Sequence, residues 1–251
     1  KDYENAAIHY DTFVLNMQGY DEAKLEEFDH KISKEAAYSA VEMWAKTIDK
    51  KPKAAEFMLK ACDRYVELFP KDAKAPTVAL DAARVEFKAG NPEIALKRIQ
   101  KLVTSYPQSP ESAEAVNAGL DILNKQGDFV NLAEYARNWR EKVTEWAPDK
   151  KKEELRNDLD KVLSTSEAKS CEELAKKKTK KLEAALCFRR VADTNKDSDI
   201  APKALVLASD LFKEFGDPYS SLDALELLVQ RHPNSDQAVV AFSKLAEGFE
   251  R

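Results

Sequence analysis

Apolar residues recur along this chain at intervals of three and four, the spacing of one face of an α-helix. The first such run covers residues 3–16, with Ala6, Ala7, Tyr10 and Phe13 on one face. A turn at Met17–Asp21 containing Gly19 follows, then a polar amphipathic stretch over 21–32. Residues 34–48 place Ala37, Val41, Trp44, Ala45 and Ile48 on one stripe. Lys50-Lys51-Pro52 breaks that helix, and 53–68 carries Phe57, Met58, Ala61, Tyr65 and Leu68. Proline lacks an N–H and clashes with the preceding turn, so Pro70 ends the run.

The next stretch sets the rhythm. Residues 75–89 form a helix with a stripe of Ala79, Ala82, Ala83 and Phe87. Gly90-Asn91-Pro92 turns the chain, Pro92 suits the first turn of a second helix, and Ala95, Ile99 and Leu102 face back. Tyr106-Pro107 stops it. The punctuation returns: Gly127-Asp128 comes 37 residues after Gly90, and Phe69-Pro70 comes 37 before Tyr106-Pro107. Gly216 precedes Pro233 by 17 residues, as Gly90 precedes Pro107. A helix–Gly–helix–Pro unit repeating at this length predicts a solenoid of helix pairs.

Around Gly127, Val116, Gly119, Leu120 and Leu123 lead in, and Leu132, Ala133, Ala136 and Trp139 occupy the return helix. The 89 residues from Gly127 to Gly216 exceed two units, so an extra helix is expected near Pro148–Leu163. Helices are predicted over 149–163, 166–177 and 181–192 in this charged region, then over 199–215, 218–231 and 235–249. The last three put Leu205, Ala208, Phe212, Leu225, Leu228, Ala238, Phe242, Leu245 and Phe249 inside, with the final helix as a cap. Ala6–Tyr10 parallels Ala184–Phe188, which reads as the second helix of a pair whose first helix is missing. The organisation expected is 1–148 as N-terminal repeats, 149–180 as a charged insert and 181–251 as C-terminal repeats, in one continuous solenoid.

Composition narrows the function. The 251 residues include six glycines, ten prolines and 34% charged residues, with a net charge of −5 from interspersed signs. That balance argues against nucleic acid as a partner, which calls for a basic field. No apolar run reaches the ~20 residues that span a bilayer, so membrane contact is expected to be indirect at most. No signal peptide is visible, and the sequence opens at Lys1 inside a helical pattern without an initiator Met. His9, His30 and His232 lie far apart, and there is no GxSxG, HExxH or Gly-rich phosphate loop. No catalytic, cofactor or metal site is expected.

These residues resemble tetratricopeptide (TPR) repeats. Residues 76–107 match that pattern with Ala83, Gly90, Ala95, Ile99 and Pro107, and 202–233 match with Ser209, Gly216, Ser221, Leu225 and Pro233. Residues 113–144 keep Gly119 and Gly127 but have Leu132 for the alanine and Thr144 for the proline, and 35–70 match less. The resemblance implies an all-α, right-handed superhelical α-solenoid with an irregular inserted helix, acting as a non-enzymatic scaffold for protein partners. The endings Phe-Pro-Lys-Asp, Tyr-Pro-Gln-Ser and His-Pro-Asn-Ser resemble bacterial envelope TPR proteins, which implies a periplasmic or outer-membrane-associated site. Alternatives are a cytoplasmic adaptor for a GTPase or kinase, and the accessory arm of a larger enzyme.

In such stacks the first helices line the partner groove. Here their outward residues are Asp81, Arg84 and Lys88, then Asn117, Asp121, Asn124 and Lys125, then Lys203, Asp210 and Lys213. Arg and Asn suit peptide backbone and carboxylates. Leu80 and Arg84 stand where the chaperone-tail clamp of some TPR proteins has Lys and Asn, so that ligand is not expected.

Three further features matter. Lys176-Lys177-Lys178-Thr179-Lys180-Lys181 reads as a solvated turn, or as a basic patch for anionic lipid or an acidic partner. On one continuous helix Cys171 and Cys187 would lie about 24 Å apart, but across a hairpin turning at Thr179 they would face each other. They read either as a disulfide or as two buried thiols, and Cys62 as core. Trp44 and Trp139 read as core, Trp146 as the tryptophan expected at the surface, and His232 as capping helix carbonyls.

Overall fold

The structure, a computed structural model, describes residues 2–17, 27–48 and 50–249, with the side chains of 27–29, 248 and 249 excepted. Among the described residues there are thirteen α-helices and no strand. The chain divides into two compact units, Lys1–Ile122 with Lys142–Lys152, and Leu123–Glu141 with Glu153–Arg251.

In the first unit, α1 (Tyr3–Met17), α2 (Glu27–Ile48), α3 (Ala55–Leu68), α4 (Ala75–Lys88) and α5 (Pro92–Ser105) each pack on the next. Helix α6 (Pro110–Gln126) follows, and the short α8 (Val143–Trp146) also belongs here. The core contains Ala7, Val14, Trp44, Met58, Cys62, Tyr65 and Val78. The second unit takes the last residues of α6, then α7 (Phe129–Glu141), α9 (Lys152–Ala175) and α10 (Lys181–Thr194). Helices α11 (Ile200–Phe215), α12 (Pro218–Arg231) and α13 (Asp236–Phe249) complete it. Here α10 packs on α11, α11 on α12 and α12 on α13, around Phe188, Val191, Leu205, Phe212, Leu225 and Leu228.

One backbone device makes each Gly turn. Gly90, Gly127 and Gly216 have φ of +86°, +69° and +96°, the left-handed region that a side chain disfavours. In each, the following N–H reaches back five residues: Asn91 to Glu86, Asp128 to Leu123, Asp217 to Phe212. Asp217 and Asp128 then cap the next helix, accepting from the Ser220 and Asn131 N–H groups at 3.1 Å.

A second device links one pair to the next. Phe69, Tyr106 and His232 end their helices at φ near −130° and ψ near +53°, each N–H bonded to the carbonyl four residues back. The residue three positions on caps the following helix: Asp72 accepts from Lys74 N–H, Ser109 from Ser112, Ser235 from Ala238. Asn195 makes the same joint, φ −118° and ψ +46°, with Ser198 accepting from Ile200. It lies 37 residues before His232, and Thr179 lies 37 before Gly216. A regular helix pair is therefore present at α9–α10, hidden because Asn195-Lys196 lacks the proline and Thr179 the glycine.

Several expectations change. The chain is one helix from Glu27 to Ile48, where a polar stretch and a separate helix were expected; residues 18–26 of the expected turn and stretch lie outside the described residues. Helix α9 runs unbroken through 24 residues where two helices were expected. Its serines do not break it, because Ser164 and Ser166 donate to the Lys161 and Val162 carbonyls of the same helix. Trp146 is 3% exposed, contrary to expectation. Its carbonyl accepts the Gln108 N–H at 2.7 Å, which fastens α8 to the joint after α5. Phe242 is 56% exposed rather than inside. The Phe249 side chain lies outside those described. The His232 backbone, not its ring, caps the carbonyl of Leu228, and its Nε2 is buried without a hydrogen-bond partner. Phe57 is half exposed, its ring stacked on buried Trp44 at 5.1 Å.

Candidate protein-interaction surface

Helix α4 buries Val78, Ala82, Ala83 and Val85, and this leaves its polar residues on the other side. Asp81, Arg84 and Lys88 follow at three and four residues on successive turns. They rim a cleft of about 390 Å³ with apolar walls from Ile48, Pro52, Met58 and Val85, between the first helices α2 and α4. Burial pushes the Asp81 carboxyl up, against the opposing pull of Arg84. Arg84 reaches Asp81 at 3.4 Å and also pairs with Glu114 on α6. Thr77 bonds Glu111 at 2.9 Å on the same two helices. These links set the row Glu114, Asn117 and Asp121 beside the α4 row, and Asn117 and Asp121 are exposed.

Five of the ten expected groove residues are thus in the first unit: Asp81, Arg84, Lys88, Asn117 and Asp121. The other five are in the second. Asn124 and Lys125 close α6, and Lys203, Asp210 and Lys213 lie on α11. Asp210 accepts from Lys244 of α13 at 2.5 Å. Leu80, at the position compared with the chaperone-tail clamp, is 1% exposed. Sequence reasoning missed Glu114, which stands one repeat of 37 residues after Thr77, on the same face as Asn117 and Asp121.

A larger cleft, about 720 Å³, lies among α3, α4 and α5, lined by Asp63, Glu67, Arg98, Lys101 and Tyr106. Its arginine is already spent internally. Arg98 forks onto Asp63 at 2.5 and 2.9 Å and bonds Glu86 at 3.2 Å. Cys62 in its wall is fully buried, and burial pushes its thiol up. The smaller cleft has an apolar wall, and Arg84 at its rim is likewise engaged, with Asp81 and Glu114.

The lysine run forms the turn between α9 and α10. Lys176 pairs with Glu173, Lys180 with Glu183 and Lys181 with Glu214, so much of its charge is neutralised. Across this hairpin the Cys171 and Cys187 sulfurs are bonded at 2.10 Å, with Cα atoms 5.6 Å apart. Trp139 is half-buried, with its ring edge-on to Tyr135 at 6.0 Å. Among the described residues no group of three His, Cys, Asp or Glu could hold a metal ion, and no helix is long and apolar enough to cross a membrane.

Residues 78–109 match the tetratricopeptide-repeat family model, a span covering nearly all of α4, all of α5 and the joint after it. No curated protein matches the sequence. Two crystal structures are distantly similar. BtubC (BKLC) from P. vanneervenii is 10% identical, over 93% of this chain and 92% of that chain, with a TM-score of 0.38. YrrB, described as a TPR protein with an unusual peptide-binding site, is 16% identical, over 87% of this chain and 98% of that one, at 0.35. At such scores those proteins' properties stay their own. The tetratricopeptide repeat matched at 78–109 is set among helix pairs closed by the same turns and joints.

Proposed function

We propose that this protein is a non-enzymatic scaffold that gathers protein partners into an assembly at a bacterial cell envelope. The observation that carries the interaction role is the cleft between α2 and α4, with apolar walls and Asp81, Arg84 and Lys88 at its rim. Such a surface suits an extended segment that inserts an apolar side chain and offers carboxylates or backbone carbonyls to Arg84 and Lys88. The tetratricopeptide repeat at 78–109 supports the same role.

The Cys171–Cys187 bond supports the location, since disulfides persist in oxidising compartments such as the periplasm and are rare in the cytosol. No comparable observation favours the cytoplasmic adaptor. The test is fractionation of cells, followed by affinity purification with wild-type protein and with the triple variant Arg84→Ala, Asn117→Ala, Asn124→Ala. Recovery with the envelope, and loss of partner from the folded variant, supports the proposal. Recovery from the cytosol overturns the location, and unchanged capture overturns the groove.

A further inference from the structure

One edge of the second unit carries apolar residues at exposed positions that other repeats keep mostly polar or small. In the repeat register, Phe215 stands where the other turns have Ala89, Gln126 and Lys178. Leu186 stands where α3, α5, α7 and α12 have Lys60, Lys97, Glu134 and Asp223. Tyr219 stands where α3 and α5 have Glu56 and Glu93, and where Val130 and Leu182 fill the two pairs between. Leu186 is 54%, Phe215 53% and Tyr219 85% exposed. Glu56 and Lys60 are exposed too, although α2 and α4 pack on α3 and Arg98 of α5 bonds to it. Exposure at these positions therefore belongs to the outer side of a turn, whatever helices lie alongside.

These side chains stand beside the lysine turn. Arg189 bonds Asp223 at 2.6 Å, which sets α10 along α12. Leu186 and Tyr219 each precede that ion pair by one helical turn, on the side of the two interhelical turns. Lys181 pairs with Glu214 at 2.6 Å, so the start of α10 lies against the end of α11, next to Phe215. The turns at 176–181 and 215–219 thus form one edge. Lys177 and Lys178 are exposed and, among the described residues, unpaired. The pairs Lys176–Glu173 and Lys180–Glu183 are exposed, and pairs of that kind contribute little, so their lysines can exchange partners.

We propose that this edge is a peripheral binding site for a membrane surface rich in anionic phospholipid. Leu186, Phe215 and Tyr219 enter the headgroup region, and the lysines of the turn meet the phosphates. A side chain as exposed as Tyr219 touches little of its own chain, so it enters a soft interface without rearrangement, and aromatic rings favour the headgroup level. A turn tip offers no groove for a peptide. The charge complements the same occupant. The whole chain carries −5, which repels an anionic surface, so attraction has to come from a local lysine cluster such as this one. The contact is peripheral, since no described helix is long and apolar enough to cross a membrane. It goes beyond the indirect membrane contact expected from composition, and it does not rest on the scaffold reading or on the α2–α4 cleft.

The test is co-sedimentation of the full chain with vesicles of phosphatidylglycerol and phosphatidylethanolamine, and with vesicles of phosphatidylcholine alone. Phe215→Ser/Tyr219→Ser removes the rings, and Lys177→Glu/Lys178→Glu reverses the unpaired charges. Lys196→Glu/Lys203→Glu makes the same charge change at the opposite ends of α10 and α11. All six side chains are exposed, and circular dichroism with thermal melting verifies that the variants fold. Wild type should sediment with the anionic vesicles and not with phosphatidylcholine. Each edge variant should bind the anionic vesicles at least about tenfold more weakly, and Lys196→Glu/Lys203→Glu within about twofold of wild type. Wild type that ignores anionic vesicles overturns the proposal, and so does either edge variant binding as wild type does. An equal loss in Lys196→Glu/Lys203→Glu also overturns it, since general charge rather than this edge would then be responsible.

Discussion

The hydroxyls of Ser209 and Ser221 are 2.9 Å apart across the pair α11–α12, and both side chains are buried. The same two positions carry Ala83 and Ala95 in the pair α4–α5. Two solutions to one packing problem are therefore present in a single chain. Removing one hydroxyl strands the other without water, so Ser209→Ala should cost about 1–3 kcal/mol. The double variant Ser209→Ala/Ser221→Ala reproduces the arrangement of α4–α5 and should recover most of that loss. Urea unfolding of the three variants checks this, and equal losses in single and double variants would contradict it.

Arg98 presents a harsher case. Glu86 is 5% exposed, and its carboxylate accepts from Arg98 and the Asn91 side-chain amide. Arg98→Met leaves a buried carboxylate with much of its compensation gone, a change that costs about 3–5 kcal/mol. Adding Glu86→Leu removes the stranded charge and should restore stability. Chemical denaturation of both variants decides it.

The repeated turns make an independent prediction. A Cβ placed on Gly90 meets no atom within 4 Å, so Gly90→Ala tests the backbone alone. At a φ of +86° the cost should be about 1–2 kcal/mol. A thermal shift of the purified variant measures it, with unchanged helical content.

Asp72 gives the chain a defined acid response. Its carboxylate pairs with Lys34 at 2.8 Å and accepts from the Lys74 N–H and the Tyr65 hydroxyl. Lys34 first, then the Lys74 N–H, hold it at about 2, below its ordinary 3.8. A depressed folded value stabilises above the unfolded value and is lost as pH falls through the folded one. The stability of wild type should therefore decline between about pH 4 and pH 2, with a shallower slope for Asp72→Asn. Identical slopes would remove Asp72 from the account.

The bond between Cys171 and Cys187 closes a loop with a sequence separation of 16. Loop-closure entropy for such a length gives about 3 kcal/mol. Reduction should lower the melting temperature of wild type and leave Cys171→Ala/Cys187→Ala unchanged. Intact mass with and without reductant should differ by 2 Da for the bond itself.

Much of this was written in the sequence where the punctuation is chemically obligatory. Gly90, Gly127 and Gly216 mark the left-handed turns because few other residues accept that backbone, and Pro70, Pro107 and Pro233 mark the joints. The pair α9–α10 was obscured because Asn195 reaches the joint conformation without a following proline, and Thr179 sits in a turn needing no glycine. Trp146 was misread because its burial comes from tertiary packing, and the Gln108–Trp146 backbone bond beside it joins distant residues that no local pattern records. Tyr10, Phe13 and Phe242 were legible as apolar stripes. Whether a neighbouring helix covers a stripe is a property of the assembled repeats.

The central claim, that the cleft at Asp81, Arg84 and Lys88 receives a protein partner, is best tested by site-specific photo-crosslinking in cells. The crosslinking residue replaces Lys88 in one variant and Lys97, exposed on α5 away from that cleft, in another. The account predicts a discrete protein adduct from position 88 that disappears when Arg84→Ala is added, and none from 97. Equal adducts from both positions, or an adduct at 88 indifferent to Arg84, would contradict it.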